Sequence, residues 1–187
     1  MFKKLLYILA IGTISYIYAM HNKNGIKKIL SEMVEEDQSL RKKFEQLNKS
    51  KNLVQQMKAL NKQHIQRLKI ILSQYYWITI SEFSKEADEH AWLLVQHADD
   101  DLDFQKEILR KLEQLYPLGE TNHQNFAYLY DRVAKNEGRP QKYGTQMQII
   151  EGKWQPYEIE DLQNLEARRA SIGLSSFQNY IDYYNGK

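Results

Sequence analysis

The sequence of 187 residues contains no cysteine. That absence excludes a disulfide-stapled scaffold, a thiolate zinc site and a cysteine nucleophile. Proline and glycine are scarce, at 3 and 8 residues, so a collagen-like composition is excluded too. An excess of one charge is also missing, because 26 Lys and Arg face 24 Asp and Glu. Basic residues occur only in short groups such as Lys42-Lys43 and Arg168-Arg169. Nucleic-acid binding needs a basic excess gathered on one face, so no nucleic-acid partner is expected. The chain also lacks an H-E-x-x-H pair, a G-x-S-x-G elbow and a phosphate-binding glycine loop. The well-marked zinc-protease, hydrolase and nucleotide-binding readings therefore lose their support. What is present is 42% hydrophobic and 27% charged residues, a composition that folds around a core rather than staying disordered.

Long apolar runs are equally rare. The uncharged stretch Leu5 to Met20 follows Lys3 and Lys4 and ends in Ile17-Tyr18-Ala19. It is shorter than the roughly 20 residues of a membrane span and is laid out like a bacterial export signal. Residues 1–19 are expected to be a signal peptide or an N-terminal membrane anchor, and the protein to be exported (periplasmic or secreted) or membrane-anchored. Contact with a membrane is expected only through residues 1–20, if they are retained. Lys23, Lys27 and Lys28 pull against export, since positive charge tends to stay on the cytoplasmic side. Residues 1–19 hold two lysines and no acid, so the remaining chain is electrically balanced.

Residues 20–187 read as a single helical domain, mainly α, a helical bundle with a small C-terminal β-hairpin. Apolar residues at Ile26, Ile29, Leu30, Met33, Val34, Leu40, Phe44 and Leu47 recur at helical spacing, which predicts a helix over Ile26 to Asn48. A second stripe from Leu53 to Leu72 predicts a partner running back through a short loop near Ser50, with His64 at the edge of the core. Gln74 to Ile80 breaks the period, and Thr79 or Ser81 is a candidate cap for a helix from Glu82 to Ala98. Further helices are expected over Asp101 to Leu115, Gln124 to Glu137 and Asp161 to Ile172, with a last turn or two around Phe177, Tyr180 and Ile181. Met147 to Ile150 and Lys153 to Tyr157 form the expected hairpin.

Polar residues fall on helices that are otherwise buried: Asp37, Arg41, Gln96, His97, Tyr128, Asp131 and Arg132, together with the loop Gln141, Tyr143, Thr145 and Gln146. Burying such groups costs several kcal/mol unless they pair, so they are expected to converge. Asp37 and Arg41 stand at i, i+4 spacing, as an intrahelical pair or as part of an internal polar site. The acidic run Asp99-Asp100-Asp101-Leu102-Asp103 suggests a calcium loop, but Phe104 stands where the turn glycine belongs and Arg110 where the bidentate Glu belongs. Those acids read as helix-start residues instead. A scattered metal site from His97, Asp99 and Asp131 follows no spacing rule, and neither a metal nor a cofactor is expected.

The stretches Trp92 to Asp99, Ala127 to Arg132 and Gly138 to Gln146 (WLLVQHAD, AYLYDR and GRPQKYGTQ) resemble an uncharacterised bacterial domain-of-unknown-function family. Asp37-Gln38-x-x-Arg41 and Arg168-Arg169-x-x-x-Gly173-Leu174 agree more weakly, and the resemblance spans about residues 26 to 184. The chain departs from it at Tyr76-Trp77-Ile78, where members carry Gly-Trp-Pro, and at Ser84, where they carry Gly. The resemblance implies a common polar pattern and no reaction. Two readings stay open. In one, the protein is a hydrolase or transferase on a small anionic or peptide-like substrate. His97 is then the general acid/base, Asp131 or Asp99 holds its tautomer, Arg132 and Arg41 bind negative charge, and the Gln141 to Gln146 loop closes the site. In the other, the same residues form a buried polar network in a non-catalytic binding or structural domain.

Overall fold

The computed structural model describes residues 22–47 and 50–186, and the expected signal or anchor over residues 1–19 lies outside them. The described chain is mainly helical with one small hairpin, as its periodicity demands. Its elements are α1 (Lys23–Gln46), α2 (Lys51–Leu72), α3 (Lys85–Gln96), α4 (Leu102–Leu115), α5 (His123–Asn136), β1 (Met147–Ile150), β2 (Lys153–Pro156), α6 (Leu165–Ser171) and α7 (Phe177–Asn185). Among the described residues, no helix is long and apolar enough to cross a membrane. The fold divides into two compact units between Leu94 and Val95.

In the first unit, α1 begins at Asn22, whose side chain accepts from Gly25 N at 2.8 Å. Its buried stripe of Ile26, Ile29, Leu30 and Met33 is the one the spacing predicts. The α2 helix packs along α1 through Leu53, Ile65, Leu68 and Ile71. His64 is buried on that helix, with Nε2 3.1 Å from Glu36 Oε2 on α1. Asp37 and Arg41 form the intrahelical pair, Arg41 Nε donating to both carboxylate oxygens at 3.0 Å.

The start of α3 differs from expectation. Neither Thr79 nor Ser81 caps it. The chain first makes a turn in which Phe83 N donates to Thr79 O, and Ser84 Oγ then accepts from Ala87 N at 3.2 Å. Burial decides this, because the turn puts Ile78 and Phe83 in the core together with Trp77. Trp77 Nε1 donates to the buried Asp88 carboxylate at 2.7 Å, so a carboxylate one turn into α3 serves the segment before it.

The second unit is built on α4 and α5, which pack through Phe104, Ile108 and Leu112 against Phe126, Leu129 and Val133. Asp101 caps α4 by accepting from Phe104 N, the helix-start role expected of the acidic run. A 3₁₀ turn over Tyr116–Leu118 connects the two helices. The hairpin pairs Ile149 with Trp154 and Ile150 with Lys153 in antiparallel register. Its two-residue turn, Glu151-Gly152, has φ of 51° and 77°, the twist a tight hairpin requires. The α6 helix is shorter than expected, because Leu162–Asn164 forms a 3₁₀ turn before it. The α7 helix is longer, running nine residues from a Ser176 cap and packing on β2.

Candidate functional site

Asp131 sits on α5 between the buried positions Ala127 and Ala134 and is itself 0% exposed. Both its oxygens face the loop after Pro140. Oδ1 accepts from Lys142 N at 2.7 Å and Tyr143 N at 3.0 Å, and Oδ2 accepts from Thr145 N at 2.9 Å and Thr145 Oγ1 at 3.0 Å. One carboxylate thus takes four donors from three residues of a single short loop. Burial pushes its pKa above the usual carboxylate range, against the pull of the loop donors.

The same loop is held from its carbonyl side by Arg169 of α6, which is 1% exposed. Its Nη1 donates to Tyr143 O at 2.6 Å and Gly144 O at 3.4 Å, and its Nε donates to Ser175 O at 2.8 Å. The guanidinium also lies over the rings of Phe177 and Tyr180, 5.5 and 5.0 Å from their centroids. The peptide units of 142–145 are therefore suspended between a buried anion that takes N–H groups and a buried cation that takes C=O groups. Tyr180 Oη adds a bond to Thr145 O at 2.7 Å.

Gln141 and Gln146 close the loop on itself. The Gln141 amide accepts from Gln146 N at 2.8 Å and donates to Gln146 O at 3.1 Å and Tyr157 O at 2.9 Å. Gln146 extends outward, its Oε1 accepting from Arg132 Nη1 at 3.1 Å and its Nε2 donating to Tyr128 O at 3.4 Å. Tyr143 turns its ring into the core against Phe126 and Tyr130. Burial holds its hydroxyl up at about 12.

A more accessible set adjoins this framework. Arg132 grips Asp99 with two hydrogen bonds, from Nε at 2.8 Å and from Nη2 at 2.5 Å. Asn136 donates to Asp99 Oδ1 at 2.9 Å and to Gln105 Oε1 at 3.0 Å. Gln105, fully buried on α4, returns its amide to Val95 O at 3.1 Å and so ties the end of α3 to α4 and α5. Partial burial raises the Asp99 pKa, but the Arg132 hydrogen bond and charge outweigh it, with help from Asn136 and Lys135, and hold it at about 2.

That shift has a measurable sign. A carboxyl with a folded pKa below its unfolded value stabilises the fold fully above the unfolded pKa and loses that stabilisation as pH falls through the folded one. Melting curves should therefore show an Asp99-dependent loss of Tm between about pH 4 and pH 2. Asp99→Asn should flatten Tm against pH in that window. The same slope in Asp99→Asn as in the parent would show that the Arg132 pair contributes nothing to folding.

The structure thus brings Asp99, Arg132, Asp131, Gln141, Tyr143, Thr145, Gln146 and the Tyr128 backbone into one connected network. His97 stands two residues before Asp99 and is half-buried, while the Asp99 carboxylate is engaged by Arg132 and Asn136 and the Asp131 carboxylate by the loop. Gln96 is buried, and its Oε1 meets no donor. Asp37 and Arg41 belong to the first unit, with the pairing described above. Among the described residues, no group of three or more His, Asp or Glu side chains is placed to hold a metal ion. Sequence reasoning missed Gln105, Asn136 and Tyr180. Gln105 left one signal, a polar residue on the apolar face of α4 between Leu102 and Ile108.

A helical unit with one charged framework around a single loop is the kind of protein this geometry defines. Within that class, the chain belongs to a family of unknown function, DUF6624, whose model matches residues 24–186. No curated protein and no solved structure matches it.

Proposed function

We propose that the second unit is a binding domain for a small anionic or peptide-like ligand. Its buried polar residues are the framework, and Arg132, Asp99, Asn136 and Gln146 form the contact surface. The observation that supports this reading over acid–base catalysis is the saturation of Asp131. A carboxylate that accepts four hydrogen bonds from one loop keeps no lone pair to orient an imidazole or to take a substrate proton. Arg132 is the accessible cation of the set. Its fork is satisfied by Asp99, which is 41% exposed and therefore free to yield its place to a ligand oxyanion. The expected signal or anchor over residues 1–19 would put this binding outside the cytoplasm or at a membrane.

The test is titration of the isotope-labelled protein with acetate, inorganic phosphate and N-acetyl-glycylglycine, followed by NMR chemical shifts. Saturable shifts at Arg132, Asn136 and Gln146 are expected, and Arg132→Ala should abolish them. The same substitution should change stability by only about 1 kcal/mol or less, because the ion pair is partly exposed. A turnover activity lost in a folded His97→Ala variant would instead return the site to an enzyme with His97 as its acid/base.

A further inference from the structure

The first unit carries basic side chains that its packing does not use. Lys27 and Ser31 stand one turn apart on α1, and Glu86 and His90 stand one turn apart on α3. Together with Lys28 and Ser84 they line a cavity of about 190 Å³ between the two helices. Lys28 and Glu86 are exposed and the other four are half-buried, so solvent reaches the cavity while most of its donors are held in place. Lys23, one turn before Lys27, ties α1 to the segment leading into α3. Its Nζ donates to Glu82 Oε1 at 2.9 Å and lies over the Phe83 ring.

Donor capacity is left over at every one of these groups. Lys27 and His90 have no hydrogen-bond or ionic partner among the described residues. Lys28 has only Glu32, at 3.8 Å, and Ser31 Oγ only Glu35, at 3.4 Å. Ser84 Oγ accepts from Ala87 N, which leaves its own O–H to donate. The lining therefore sets two ammonium groups against one carboxylate, that of Glu86, and the first turn of α3 adds partial positive charge. A planar carboxylate is matched by the fork of an arginine, and none lines this cavity. Lysines act as point charges, and with hydroxyl and imidazole donors from a second helix they suit the several oxygens of a tetrahedral phosphate. The volume has room for several waters, and so for a phosphate group with a short substituent.

We infer that Lys27, Lys28, Ser31, Ser84 and His90 form a binding site in the first unit for a phosphate monoester, carried by a soluble compound or by a lipid headgroup. Glu86 limits its affinity by repulsion. The site is built wholly from the first unit and stands or falls separately from the ligand proposed for the second.

The test titrates the full chain with inorganic phosphate, glycerol 1-phosphate and acetate at about 0.15 M salt, read by chemical shifts. Both phosphate compounds should give saturable shifts at Lys27, Ser31, Ser84 and His90, and acetate should bind about tenfold more weakly. Lys27→Gln should weaken phosphate about tenfold while leaving Tm within about 2 °C of the parent. Glu86→Gln should tighten it several-fold, a gain that damage to the fold cannot imitate. Lys85→Gln, which removes a neighbouring charge outside the cavity lining, should leave binding unchanged. Sedimentation with phosphatidylcholine vesicles, with and without phosphatidic acid, separates the two sources. A Lys27-dependent gain with phosphatidic acid assigns the lipid headgroup, and no gain beside intact glycerol 1-phosphate binding assigns the soluble ester. No shift at the four residues, equal losses in Lys27→Gln and Lys85→Gln, or acetate binding as tight as phosphate would overturn the site. Phosphate shifts confined to Arg132 and its neighbours would overturn it too, and would leave the reading of the second unit standing.

Discussion

Asp131→Ala should lower Tm by roughly 10 °C or more, the largest effect of any single substitution in the second unit. The reason is geometric. The aspartate accepts Lys142 N, Tyr143 N, Thr145 N and Thr145 Oγ1, and an alanine returns none of these bonds. Stranded buried donors cost about 1–3 kcal/mol each when water cannot reach them, and partial relaxation brings the total to about 3–5 kcal/mol. Asp131→Asn should fall between, because its amide keeps one acceptor oxygen and turns donors toward the N–H groups the other oxygen served. Arg169 would then hold the loop from the carbonyl side alone. Amide hydrogen exchange gives the sharper readout: protection at residues 142, 143 and 145 should collapse in Asp131→Ala before that of α4 and α5. Parent-like melting together with retained protection at those three amides would show that the loop does not depend on the aspartate.

The second large effect is expected at Gly144. Its φ of 66° lies in the left-handed region, and a Cβ there would stand 2.8 Å from Phe177 Cε2 and 3.1 Å from Ile159 Cδ1. The conformation costs an alanine about 1–2 kcal/mol, and the contact with the ring adds to it. Gly144→Ala should therefore destabilise the unit by about 2–4 kcal/mol. The two parts separate in a double-mutant cycle with Phe177→Leu, which removes the ring that the new methyl would strike. The cost of Gly144→Ala should shrink in that background to its backbone part. An identical cost in both backgrounds would eliminate the steric contribution, and no cost in either would eliminate the backbone one. The two substitutions probe one device, since Gly144 lets the chain turn so that Asp131 receives the N–H groups and Arg169 the carbonyls.

The helices were legible because a buried stripe repeats. Ile26, Ile29, Leu30 and Met33 on α1, and Ile108, Leu112 and Leu115 on α4, lie at the spacings that solvent exclusion imposes on one face of a helix, and these helices fall within a few residues of their expected bounds. The hairpin was legible from its Glu151-Gly152 turn. The start of α3 was not, because its position depends on burying Ile78 and Phe83 beside Trp77, a packing outcome with no local period. The α7 helix was underestimated for a similar reason. Its anchoring residue, Tyr180, reaches Thr145 O across 35 residues of sequence.

The polar residues divide in the same way. Composition and pattern alone excluded thiol chemistry, disulfides and the marked nucleotide and protease sites. They also singled out Asp131, Gln141, Tyr143, Thr145 and Gln146 as polar residues that must converge, since burial without partners is costly. Which partner each one takes was decided by the tertiary structure. Asp131 binds backbone N–H groups, and every residue but proline supplies those alike, so nothing in the identities of Lys142, Tyr143 and Thr145 announces them as its ligands. Arg169 is drawn to the same loop from α6 by carbonyls that are equally anonymous. The sequence determined that charge would be buried here. Only the fold decided that the anion and the cation would meet through the backbone between them rather than through a histidine.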